Sequence, residues 1–282
     1  MANSSHNDEA ASVLHLVELG YVDPEKEAAS QAALHSRLEA DLGRAIELHG
    51  SGRGQEAVDL LHRIASDDPE LISPRQILAE IQFRAGNWNA ARPLVDWLAH
   101  HNTFSPRLAL MAGALALADR DLSAALGELK YASYVEPTLP GVQSLLGTTL
   151  LRLGQWEAAE GAFEQALRQN PKDAPALEGL AAVALRRENF ESAVHWALEA
   201  LKLNMQQFRA HFYLGIALAH LHRTEAASEA FATCARLEPL RAAPFHWLSR
   251  IADEHLGDAI LATSFRERGQ EVIRQRRCHL RK

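Results

Sequence analysis

The chain has 282 residues, 47% of them apolar, a formal charge of −7 and two cysteines, Cys234 and Cys278. The apolar share excludes a mainly disordered chain, the negative balance argues against a general nucleic-acid binder, and two cysteines build neither a disulfide framework nor a zinc site. Leu and Ala dominate the apolar set, with few aromatic and β-branched residues, which favours helices over strands. No apolar run is long enough to span a bilayer, and the first residues lack the basic and apolar regions of a secretory signal. The expectation is a cytoplasmic protein. The length is large for one compact core and ordinary for a stack of repeated units.

Residues 1–7 are small and polar and are expected to be disordered. Over 8–19 the apolar residues Val13, Leu14, Leu16, Val17 and Leu19 predict a helix face, with Gly20 as its stop. Pro24 then turns the chain, and a second lead-in helix starts within 25–37. Through Asp41 the acidic residues outnumber the basic ones 8 to 2.

From Leu38 a 34-residue period sets in, with units starting at Leu38, Ile72, Pro106, Pro140, Ala174, Phe208 and Ala242. Each unit reads as two short helices joined by a tight turn. Proline closes four units, at Pro69, Pro137, Pro171 and Pro239, where it stops the second helix. A small residue opens the contact face of the second helix at Ala57, Ala91, Ala125, Ala159, Ala193 and Ala227. One helical turn later stands a larger one at Leu61, Val95, Leu129, Phe163 and Phe231, with Ala197 as the exception. The first helices share Leu78, Leu146, Leu180, Leu214 and Leu248, each followed by a small residue that lets backbones approach. Gly52, Gly86 and Gly154 occupy one turn position, where a left-handed conformation costs glycine least.

The seventh unit is degenerate. Leu261 stands at the small position and Arg268 at a buried one, as suits a terminal cap whose last helix faces water. Residues 264–282 carry seven Lys/Arg against two Asp/Glu, so the two ends differ in charge. This basic tail reads either as a docking element for an acidic partner or as a helix end whose cations complement the dipole.

These residues resemble the tetratricopeptide repeat (TPR) across 38–275. The resemblance implies an all-α solenoid, a right-handed superhelix of about seven antiparallel helix pairs. It would comprise a lead-in at 1–37, the repeat array at 38–275 and a basic tail at 276–282. The large aromatic that the family often places early in the first helix is missing at Arg75, Ala109, Gln143, Leu177 and His211.

The family's first helices line a concave groove. The matching positions here are Gln76, Glu80, Arg84, Arg107, Ser144, Thr148, Arg152, Glu178, Arg186, Arg209, Phe212, His246 and Arg250, with Tyr213 beside them. Arg84, Arg152 and Arg186 share one repeat position and suit a carboxylate, to which a guanidinium donates two parallel hydrogen bonds. The same residues also read as a solvated helix face with local pairs such as Glu80 to Arg84. The lysine and asparagines of the chaperone-binding clamp are absent, as is the asparagine ladder of O-linked GlcNAc transferase repeats.

The implied function is a non-enzymatic scaffold that binds a peptide or helix of another protein. No catalytic set, cofactor site or metal site is expected. His100 and His101 are adjacent and His220 and His222 two apart, neither of which puts both rings on one helix face. The sequence leaves the partner and the oligomeric state open. A second similarity concerns LVELGYVDP near the N-terminus and PFHWLSRIAD near the C-terminus. Both resemble tails of bacterial sulfatase and type I phosphodiesterase proteins of the alkaline-phosphatase superfamily. This implies an alternative, a non-catalytic tail or subunit of such a hydrolase, because the superfamily's metal ligands and nucleophile are not in the chain.

Overall fold

The computed structural model describes residues 24–101, 103–254 and 257–279, and these form fourteen helices and no strand. The predicted helix over 8–19, most of the LVELGYVDP phrase, the Cys278 side chain and residues 280–282 lie outside the described residues. The chain divides into two compact units at Thr103/Phe104.

The first unit contains α1 (Pro24–Gly50), α2 (Gly54–Asp67), α3 (Ile72–Arg84) and α4 (Trp88–His100). Each helix packs on the next in sequence. α1 is one unbroken helix, so the predicted lead-in and the first helix of the first pair are continuous. No proline or glycine interrupts 25–42, and the alanines and glutamates there are good helix formers. Leu38, Ala45, Leu61, Ile64 and Leu78 form the core of this unit.

The second unit contains α5 (Pro106–Ala118), α6 (Leu122–Val135), α7 (Val142–Arg152), α8 (Trp156–Gln169), α9 (Ala174–Arg186), α10 (Phe190–Leu203), α11 (Phe208–His220), α12 (Thr224–Leu237), α13 (Ala243–Glu254) and α14 (Ala259–His279). Helices pair in order. The first helices of successive pairs also touch: α5 meets α7, α7 meets α9, α9 meets α11, and α11 meets α13. They therefore build one continuous wall of this unit.

Local chemistry sets the boundaries. Ser105, Asp121, Asp173 and Asn189 each accept a hydrogen bond from the backbone N–H three residues on, capping α5, α6, α9 and α10. The residues before the closing prolines, Asp68, Glu136, Asn170 and Glu238, leave the helix with φ between −132° and −138°. The turn inside each pair is left-handed at Gly52, Gly86 and Gly154. The same position stays left-handed at Arg120 (φ 66°), Glu188 (φ 57°) and His222 (φ 57°), where the repeat has lost its glycine. The geometry of the turn persists there at a conformational cost of about 1 kcal/mol each.

Polar side chains replace the missing aromatic early in the first helix. Arg75 donates to the carbonyls of Leu71 and Ala65 and lies over the Trp97 ring at 4.3 Å. Gln143 donates to Ser133 Oγ and to the Pro137 carbonyl, and His211 Nε2 lies 2.9 Å from the Met205 carbonyl. Each of these side chains still ties its helix to the loop or helix before it. Cys234 is buried, its thiol pushed up to about 12 chiefly by burial, so it is a packing group and not a nucleophile.

The last pair departs from the 34-residue step. Asp258 caps α14, and the small residue four positions on is Ala262, which is 0% exposed, whereas Leu261 is 37% exposed. One residue has been added to the preceding turn, so Gly269, not Arg268, is buried against Phe245. Arg266 takes the place that Phe231 holds one pair earlier and bonds Asp253 at 2.7 Å.

Candidate functional site

The wall of first helices in the second unit carries a groove of about 680 Å³, lined by Leu151, Arg152, Gly154, Trp156, Ala182, Leu185, Arg186, Phe212, Tyr213 and Ile216. These residues come from α7, the turn after it, the start of α8, α9 and α11. The wall-facing positions of each first helix recur at i, i+3 and i+4, which gives the arginine and the apolar residue of one turn to the same face. Ala182 and Gly154 contribute almost no side chain, and the space they leave makes the groove wide between its aromatic residues.

The polar groups of the groove form one electrostatic cluster. Burial raises the Tyr213 hydroxyl above its ordinary value; Arg209, Arg186 and Arg152 pull it back and Glu178 pushes it further up. Burial also raises the Glu178 carboxyl above its ordinary value, against the attraction of Arg209. Arg186 sits 5.4 Å over the Trp156 ring. Phe212 packs beside Phe208 at 5.7 Å and edge-on to Phe231 at 5.8 Å, which fixes its ring from below.

Arg152, Glu178, Arg186, Arg209, Phe212 and Tyr213 are thus brought together out of the predicted set. Other members lie elsewhere. Gln76, Glu80 and Arg84 belong to the first unit, where Glu80 and Arg84 form an ion pair of 2.8 Å along α3. Arg107 and His246 are exposed on α5 and α13. Arg250 is held by both oxygens of Glu254, at 3.0 and 2.9 Å, and lies 5.2 Å over Trp247. Beside that pair a void of about 30 Å³ has room for one water.

Three predicted residues have internal duties that take them out of the solvent-facing set or divide their role. Ser144 is 4% exposed and donates to Asp173 Oδ2 at 2.7 Å, and Thr148 donates back to the Ser144 carbonyl. Arg152 donates to the Leu117 carbonyl at 3.0 Å, closing the C-terminal end of α5. Leu151, Ala182, Leu185 and Ile216 form the floor with Phe212 and, Phe212 apart, were not singled out from sequence. Apolar residues at helical spacing read as core, and only their repeat positions marked them as wall-facing.

The first unit has a separate cleft of about 480 Å³ between α1 and α2, lined by Arg37, Arg44 and Arg63 against Asp41, Glu56 and Asp59. Its charges offset one another. Among the described residues no group of three or more His, Cys, Asp or Glu could hold a metal ion, and no helix is long and apolar enough to cross a membrane.

Residues 144–208 match the family model described as tetratricopeptide repeat. The fold is that of a tetratricopeptide-repeat solenoid. No curated protein matches the sequence. Among solved structures, a tetratricopeptide repeat protein from Parabacteroides merdae is similar with a TM-score of 0.58 and 14% identity, over 83% of this chain and 93% of that one. MamA from Desulfovibrio magneticus RS-1 is similar with a TM-score of 0.53 and 21% identity, over 60% of this chain and 96% of that one. At these identities the likeness is one of fold. Of the helices that line the groove, α9, the start of α8 and most of α7 lie within the TPR match, while α11 lies beyond it apart from Phe208.

Proposed function

We propose that this tetratricopeptide-repeat chain is a non-enzymatic scaffold that holds an extended segment of another protein in the groove of its second unit. The observation that carries the reading is the groove itself, built from three successive first helices and carrying two arginines, a tryptophan, a phenylalanine and a tyrosine. Those residue types dominate binding energy where they line a partly desolvated surface. Arginine charge and aromatic rings meet in one groove around Tyr213, which supports recognition of a peptide by charge and ring contact.

The test compares affinity capture by the wild-type chain with capture by an Arg186→Glu/Arg209→Glu variant, after melting curves show that both are folded. Both arginines are exposed, but Arg209 attracts the Glu178 carboxylate, so the variant is expected to melt somewhat below wild type and to stay folded at the temperature of the capture. A protein retained by wild type and lost by the variant is the expected result. Proteins retained equally by both would place the working surface elsewhere.

A further inference from the structure

The chain as a whole is acidic, at −7, yet the groove reverses that sign. Arg152, Arg186 and Arg209 stand against the single carboxylate of Glu178 in the cluster around Tyr213. Arg186 and Arg209 donate no hydrogen bond among the described residues, and a guanidinium stacked on a ring, as Arg186 is on Trp156, keeps its in-plane N–H groups for a ligand. Arg152 spends one donor on Leu117 and has others to give. Between these cations the floor is apolar, made of Leu151, Ala182, Leu185, Phe212 and Ile216.

We infer that the groove takes an acidic peptide segment of another protein, seating one large apolar side chain on the floor at Ala182, Leu185 and Ile216 and placing neighbouring carboxylates on Arg186 and Arg209. The inference rests on the scaffold reading above and narrows it to one class of ligand. Charge complementarity selects the acidic segment. A basic segment would meet three like charges, and a neutral one would leave the arginines without partners while covering them. The apolar floor selects the anchor, since a purely acidic run would leave that surface unfilled.

The experiment is selection of a random 12-residue phage-displayed peptide library on the full chain, followed by fluorescence anisotropy of the enriched peptides. The proteins compared are wild type, the Arg186→Glu/Arg209→Glu variant and a floor-filling Ala182→Gln variant, each checked by circular dichroism. The expected peptides combine Asp or Glu with Trp, Phe or Leu. Their affinity should fall at least tenfold in the charge-reversed variant, fall in the floor variant, and weaken as salt rises from 0.05 to 0.5 M, as screened ion pairs do. Neutral or basic peptides that lose affinity in the floor variant would overturn the inference and leave the scaffold reading standing. Acidic peptides indifferent to both variants bind another surface, such as the arginines of α14, and would overturn the inference. A library from which nothing is enriched would overturn the scaffold reading and the inference together.

Discussion

Gly147 and Phe163 are in direct contact, so close that a β-carbon added to residue 147 would fall 2.7 Å from Cδ1 and from Cε1 of the ring. The other edge of the same ring meets Gly179, where an added β-carbon would come within 2.2 Å of Cζ. One aromatic side chain is therefore clasped between two bare backbones on α7 and α9, and its burial joins three helices. Gly147→Val should lower stability by about 1–3 kcal/mol, the usual cost of overpacking, seen as a lower midpoint in urea denaturation. Gly161, on the exposed face of the same α8 that carries Phe163, has nothing within 4 Å of an added β-carbon. Gly161→Ala should raise stability by about 0.5–1 kcal/mol, seen as a higher midpoint. If both substitutions moved stability in the same direction, the clasp would not be where the structure has it.

The clasp was legible in the sequence because it recurs. Gly113 meets Leu129 and Gly215 meets Phe231 in the same way, at 2.7 and 2.8 Å, and a contact repeated every 34 residues leaves a periodic trace. What was not legible is what does not repeat. Ala262 replaces Leu261 in the last pair because one extra residue in a turn shifts the step without altering composition. α1 runs through the expected start of the first repeat because a boundary needs a breaker and none is present. Ser144 reads as a groove residue by position, yet its partner Asp173 is a capping residue of the next pair, which no count along one helix reveals. The groove floor escaped notice because Leu185 and Ile216 look like core residues by spacing, yet both are only partly buried and line the groove.

Asp173 links two pairs with its two oxygens. Oδ1 accepts from the Ala176 N–H as the cap of α9, while Oδ2 accepts from Ser144 Oγ on α7. Asp173→Ala should cost about 1–3 kcal/mol, combining a lost cap with a stranded, buried hydroxyl. Ser144→Ala should cost less, because the carboxylate keeps its cap. The double variant should cost less than the sum of the two, and a double-mutant cycle in urea measures the coupling. Strict additivity would mean the 2.7 Å contact contributes nothing.

Arg152 and Arg186 share one repeat position and should nevertheless respond differently to truncation. Arg152 holds the last turn of α5 through the Leu117 carbonyl, while Arg186 is exposed and rests on Trp156. Arg152→Ala should lower stability by about 1 kcal/mol, and Arg186→Ala should leave stability within about 0.5 kcal/mol of wild type. For an acidic peptide the order reverses, because Arg186 has more donors to lose. Equal effects on stability and on binding would mean that position in the repeat, rather than the local partner, sets the role of each arginine.

Glu178 gives the groove a pH dependence with a definite sign. Burial raises its carboxyl above the ordinary value of 4.5, and the attraction of Arg209 offsets only part of that. The folded chain therefore holds this proton at pH values where the unfolded chain has released it. The contribution of the residue to stability is greatest below the ordinary value and is lost as pH rises through the raised one. Glu178→Gln, which keeps shape and removes the charge, should melt higher than wild type at neutral pH, and the difference should shrink to nothing as pH falls below 4.5. Arg209→Ala should widen the same difference at neutral pH, because the carboxylate loses its attracting charge while its burial is unchanged. Melting curves of wild type, the two single variants and the Glu178→Gln/Arg209→Ala double variant, from about pH 4 to about pH 8, make the comparison. A Glu178→Gln chain that melts lower than wild type at neutral pH would mean that the Arg209 attraction outweighs burial and that the pair is a net stabilising bridge.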